Sequence, residues 1–165
     1  MVLEKVKDVR DKISKRKTSR VGLFIDGPNI LRNEFVINLN KLREEVESIG
    51  NIAIARVFLN QFASEKLIEA VASQGFEPII SLGGEQDNSE NRSDVDVSMA
   101  VSAMEAIYTN IDILIIATRD ADFLPLVHKA KEKNVKVIVM GIEPGFSTAL
   151  KNAADDVINI KRFKE

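Results

Sequence analysis

Three segments of this chain, residues 21–26, Ile111–Thr118 and Val135–Met140, are near-continuous apolar runs rather than alternating ones. A strand with one face in water alternates apolar and polar residues, whereas a strand covered on both faces does not. Strands of the second kind occur where helices pack on both sides of a parallel sheet. The rest of the chain fits that frame. Further strands are expected at Asn51–Leu59, Phe76–Leu82 and Asp156–Ile160. Helices are expected at 38–49, Ser64–Ser73, Ser93–Tyr108 and Asp122–Lys133, with a short one near Phe146–Ala153. Gly50 reads as the C′ residue of its helix and Gly75 as the break before the third strand. Gly83–Arg92 reads as a polar loop. The expected fold is therefore α/β: a doubly wound, mainly parallel sheet of five to six strands with helices on both faces. At 165 residues the chain suits a single core, with no internal repeat.

A doubly wound sheet opens a crevice at the carboxyl ends of the strands where the winding reverses. The fourth strand, ending at Thr118, is expected beside the first, ending at Asp26. Asp26, Asp96, Asp120 and Asp122 then all fall on that edge. Carboxylates gathered so closely repel one another unless a cation sits among them. Hard oxygen donors suit Mg2+ or Mn2+. Asp26 is the expected central ligand, with Asp120 or Asp122 opposite and Asp96 on the far side. Asn29 is suited to orient Asp26 or a phosphate, and Thr118 to hydrogen-bond a ligand carboxylate or water. Plainer roles stay open. Ser93 and Asp96 have the spacing of a capping box, and Asp94 lies in the same first helical turn. Asp120 or Asp122 fits as the cap of the helix that follows, with Pro125 in its first turn. Asp26 differs, because no helix is expected directly after it.

Composition narrows the chemistry. There is no cysteine, which excludes disulfides, thiolate ligands and a Cys nucleophile. The single histidine, His128, excludes a His-rich zinc site and reads as a mid-helix surface residue. Eight Phe, one Tyr and no Trp make a base-stacking platform a poor fit. The phosphate-loop patterns of nucleotide folds are absent, as are the Asp-x-Asp of small-molecule phosphatases and a receiver aspartate after the third strand. No apolar run approaches membrane-span length, so a soluble cytoplasmic protein is expected.

Residues 1–20 form a distinct arm ahead of a domain spanning 21–165. Val2, Val6, Val9 and Ile13 make a helical stripe. The arm carries a net +5, and the total of -2 leaves -7 on the remainder. A basic arm on an acidic body suits a polyanionic partner. Lys15, Arg16 and Lys17 in the arm, with Arg92 and Arg119 in the body, are the candidate substrate contacts. The same stripe offers a surface for homodimerisation.

The segments Phe24-Ile25-Asp26-Gly27-Pro28-Asn29-Ile30, Ser93-Asp94-Val95-Asp96-Val97 and Thr118-Arg119-Asp120-Ala121-Asp122-Phe123 together resemble the NYN domain. This is a branch of the PIN-like ribonuclease superfamily that includes LabA-like proteins. The resemblance runs from about Arg20 to Ile160. It implies a PIN-like, Rossmann-like three-layer sandwich and metal-dependent RNA cleavage. It also implies that Asp26, Asp96, Asp120 and Asp122 are the acidic cluster, supported by Asn29 and Thr118. Where family members often have Ser-Gly-Asp-Ser-Asp-Phe, Arg119 replaces the glycine and Ala121 the second serine. Ser93-Asp94 stands where many have Lys-Gly, and Ser102 where a further acid is frequent. The expected function is Mg2+- or Mn2+-dependent hydrolysis of RNA. A non-catalytic RNA-binding or regulatory module with the same fold is the alternative.

Overall fold

Strands β1 (Arg20–Asp26), β2 (Asn51–Asn60), β3 (Glu77–Ser81), β4 (Ile113–Ala117), β5 (Lys136–Gly141) and β6 (Asp156–Asn159) form one sheet. Its order is β3-β2-β1-β4-β5-β6, and every pairing is parallel. The computed structural model describes residues 2–15, 19–32, 35–82 and 92–163, the side chains of 11–15, 92–94 and 162 excepted. Helices α1 (Val2–Lys15), α2 (Gly27–Ile30), α3 (Leu39–Ile49), α4 (Glu65–Ser73), α5 (Arg92–Thr109), α6 (Leu124–Glu132) and α7 (Thr148–Ala153) complete the order.

The apolar runs have the expected cause. β4 is buried throughout, and β1 and β5 are buried except for their first residues. Alternate residues of β1 enter two separate cores. Leu23 and Ile25 join Leu42 and Val46 of α3 and Val71 of α4 on one face. Phe24 joins Phe58, Val95 and Met99 of α5, and Val127 of α6 on the other. Burying a side chain such as Leu23 or Ile25 contributes about 1.5–3 kcal/mol, which is why the central strands tolerate no polar face. Helix starts are set by side chains: Asn38 accepts from Lys41 N at 3.1 Å and Ser64 from Leu67 N at 3.1 Å.

Three local expectations are corrected. A helical turn, α2, does follow Asp26 directly, because Pro28 sits in its first turn, where a missing N–H costs nothing. Gly50 is not left-handed: its φ is -177°, and a Cβ there would lie 2.6 Å from the Ser19 carbonyl oxygen. Close approach to the chain entering β1 demands glycine, not turn geometry. The helix expected from Asp122 begins as a 3-10 turn, Ala121–Phe123, and becomes α6 only at Leu124. The Gly83–Arg92 loop lies outside the described residues except Arg92, which is already in α5. Residues 2–10 of α1 are exposed, so a single copy leaves the Val2, Val6 and Val9 stripe uncovered.

Candidate metal centre at the switch point

β1 sends the chain one way to β2 and β3, and the crossover through α5 brings it back to β4 on the other side. Ile25 pairs with Ala117, so Asp26 and Thr118 leave the sheet at the same level. Both are buried, Asp26 with 3% of its surface exposed and Thr118 with none. The Thr118 hydroxyl donates to Asp26 Oδ2 at 3.0 Å and accepts from Asp120 N at 3.2 Å. One hydroxyl thus joins the buried acid to the loop carrying the next two. Gly27 is required here, since a Cβ would collide with the Phe58 carbonyl oxygen and lie 2.7 Å from Leu59 Cδ2. Asp26 occupies the N-cap position of α2, yet its side chain makes no capping bond. It is left to face the crevice.

Asp96 approaches from α5, beside Val95, which packs into the core. Because α5 already includes Arg92, Asp96 stands inside the helix and not as the third residue after a Ser93 cap. Asp120 does cap: its Oδ1 accepts from Asp122 N at 2.9 Å and starts the 3-10 turn. Capping and clustering are compatible, because a carboxylate has a second oxygen. Among the described residues, Asp96, Asp120 and Asp122 each offer an oxygen within 4.8 Å of the others. Asp26 lines the same narrow cleft with Pro28, Asn29, Val95, Asp96 and Asp120. The cleft's free volume of about 10 Å³ suits one water-sized particle. All-oxygen donors around a space that small fit a hard divalent cation. The tightest grouping is therefore Asp96, Asp120 and Asp122, with Asp26 as its most buried neighbour.

Asn29 and Arg119 do something the sequence did not suggest. Asn29 Oδ1 accepts from Arg119 N at 2.8 Å and from Arg119 Nε at 3.2 Å. Arg119 Nη1 donates to the Pro144 carbonyl, and its guanidinium lies 4.9 Å over the Phe35 ring. Beyond the cleft opens a recess of about 480 Å³ lined by Asn29, Arg119, Asp120, Ala121, Gly145 and Ser147. The segment from Glu143 to Ser147 had no expected role in the site. The Pro144-Gly145 pair shortly after β5, on the same sheet edge, was the available signal. Ser102 faces away, accepting from Arg56 Nη1 at 2.8 Å, and His128 is exposed on α6. Of the other candidates, Arg16 and Lys17 lie outside the described residues. Lys15, Arg92 and Asp94 have their backbones in α1 and α5, with side chains outside the description. A second recess, about 350 Å³, lies at the opposite edge against Lys131, Lys136 and Asp155 and gathers no acids of this kind.

Comparison with known proteins identifies the family and the fold. The NYN domain profile matches residues 20–161, nearly the whole chain beyond the arm. The chain belongs to the NYN domain family. It is 56% identical over 154 residues to the uncharacterised protein MJ0482 of Methanocaldococcus jannaschii, a match covering 92% of this chain. The chain spans 60% of that relative's length. The crystal structure of a Vibrio parahaemolyticus protein of unknown function, VPA0982, superposes with a TM-score of 0.76 at 20% identity. That alignment covers 86% of this chain and 93% of the other, and it shows that the two share one fold. No helix among the described residues is long and apolar enough to cross a membrane.

Proposed function

We propose that this NYN domain is a Mg2+- or Mn2+-dependent ribonuclease. The observation that carries the proposal is the gathering of Asp96, Asp120 and Asp122 oxygens within 4.8 Å at the switch point, with Asp26 lining a cleft beside Asp96 and Asp120. NYN domains are generally ribonucleases, which supports RNA as the substrate class. Asp96, Asp120 and Asp122 would hold the cation, with Asp26 completing the charge around it. A bound divalent ion supplies stabilisation of phosphate charge and a more acidic water. The chain's own residues do the rest. Thr118 holds Asp26 in one rotamer and fixes the Asp120 backbone. The recess beyond Asp120 is wide enough to seat a stretch of backbone next to the acids. Lys15, Arg16, Lys17 and Arg92 add charge neutralisation along the strand, which makes affinity fall steeply with salt.

The test is cleavage of single-stranded and structured RNA with Mn2+ by wild type, Asp26→Asn and Asp120→Asn. Removing either carboxylate, the ligand Asp120 or the buried Asp26 beside it, is expected to lower turnover on the order of 100-fold or more. Equal cleavage by all three proteins would sink the assignment. Mn2+ binding without turnover on any RNA would select the non-catalytic RNA-binding module instead.

A further inference from the structure

We infer that Arg119 is a positioning residue, one that sets the spacing of Asp120 and Asp122 and does not bind the phosphate backbone. The inference rests on the metal-site reading above. The segment 118–122 carries two of the three clustered carboxylates and has little regular structure of its own, only the 3-10 turn. Its backbone is tied at Thr118 N, which donates to the Met140 carbonyl at 3.0 Å. Arg119 N donates to Asn29 Oδ1, and the Arg119 carbonyl accepts from Ser147 N at 3.0 Å. The Arg119 side chain then repeats those ties from outside. Its Nε shares Asn29 Oδ1 with its own backbone N–H, its Nη1 reaches Pro144, and its plane covers Phe35.

Three separate segments (the turn of α2, the chain before α3 and the loop after β5) are thus gathered by one planar group. Gly145 sits against it so closely that a Cβ would approach Arg119 Nη1 at 3.3 Å. A guanidinium can donate along two directions while stacking on a ring; an ammonium cannot. Charge alone would act the other way. A fixed cation beside a cation site weakens metal binding, so a purely electrostatic Arg119 predicts tighter binding when its charge is removed. Positioning predicts looser binding, because ligand oxygens held less firmly must be ordered at the moment the ion binds.

The experiment is Mn2+ titration calorimetry on the full chain as wild type, Arg119→Gln and Arg119→Lys, paired with steady-state RNA cleavage. Expected is a Mn2+ affinity lower by about 10–100-fold in both variants. At limiting Mn2+, kcat falls with KM for RNA unchanged, and added Mn2+ restores much of it. Wild-type Mn2+ affinity in both variants together with a raised KM overturns the inference in favour of a substrate contact. Tighter binding in Arg119→Gln alone overturns it in favour of charge. If Arg119→Gln does not fold, Arg119→Lys decides by the same criteria. A wild type that binds no Mn2+ overturns the metal reading itself, and the inference with it, before any variant is compared.

Discussion

The two edges of this sheet are made from the same strands and treat their acids differently. At the amino edge, three acids tie neighbouring strands together. Asp112 Oδ2 accepts from Arg20 N at 2.7 Å, Asp155 Oδ2 from Val137 N at 2.8 Å, and Asp156 pairs with Lys136 at 2.9 Å. At the carboxyl edge, Asp96, Asp120 and Asp122 offer oxygens within 4.8 Å of one another, and Asp26 shares a cleft with Asp96 and Asp120. The amino edge uses carboxylates to hold the strands in register. The carboxyl edge gathers like charges, which repel one another unless a cation sits among them. The acids that tie strands together and the acids that cluster thus lie at opposite ends of one sheet.

Thr118 is the sharpest place to break that contrast, because its hydroxyl serves the fold at the edge assigned to function. Thr118→Val keeps the shape and leaves both Asp26 and the Asp120 amide short of a partner. The expected loss is roughly 1–3 kcal/mol in urea unfolding, with Thr118→Ser losing much less. Unchanged stability in Thr118→Val would mean that the hydroxyl does not anchor the site. A smaller effect separates the edges directly. Asp112→Asn should lower stability by roughly 1 kcal/mol or less, given its exposure. Asp122→Asn should raise the melting temperature slightly in chelator, and Mn2+ should then stabilise wild type but not the variant. Two variants moving in the same direction in chelator would erase the distinction.

The smallest expected effect concerns Glu143, a carboxyl-edge acid outside the cluster that pairs with Lys151 at 3.0 Å. The hydrogen bond from Lys151, followed by that from Phe146 N, holds its carboxyl below the usual range. A lowered folded value means that the contribution is complete above the unfolded carboxylate value and is lost as pH falls through the folded one. Carbon-detected NMR titration should find Glu143 titrating at lower pH in wild type than in Lys151→Met. Identical midpoints would remove Glu143 from the fastened loop.

The layered fold was written in Val21–Ile25 and Ile113–Ala117, because only strands covered on both faces can afford so few polar residues. The same chain order placed Asp26 beside Thr118, since a crossover to the far side of β1 leaves few other positions for the fourth strand. Local chemistry was read less well. Asp26 was expected to precede no helix, yet Pro28 starts one, and Gly50 proved to be a close-approach residue. The first was local and legible in Pro28, whereas Gly50 depends on Ser19, a neighbour from the chain entering β1.

Composition, the apolar periodicity and the order of the three motifs were enough to determine the architecture and to put the acidic residues of the candidate site on one edge of the sheet. Those properties depend on residue type and spacing along the chain. Which carboxylates share a space, how Asp120 both caps a turn and joins the cluster, and why Arg119 reaches Asn29, Phe35 and Pro144 were decided only by tertiary structure. Angstrom-scale distances between side chains far apart in sequence depend on how the helices seat on the sheet, and no local pattern carries that information.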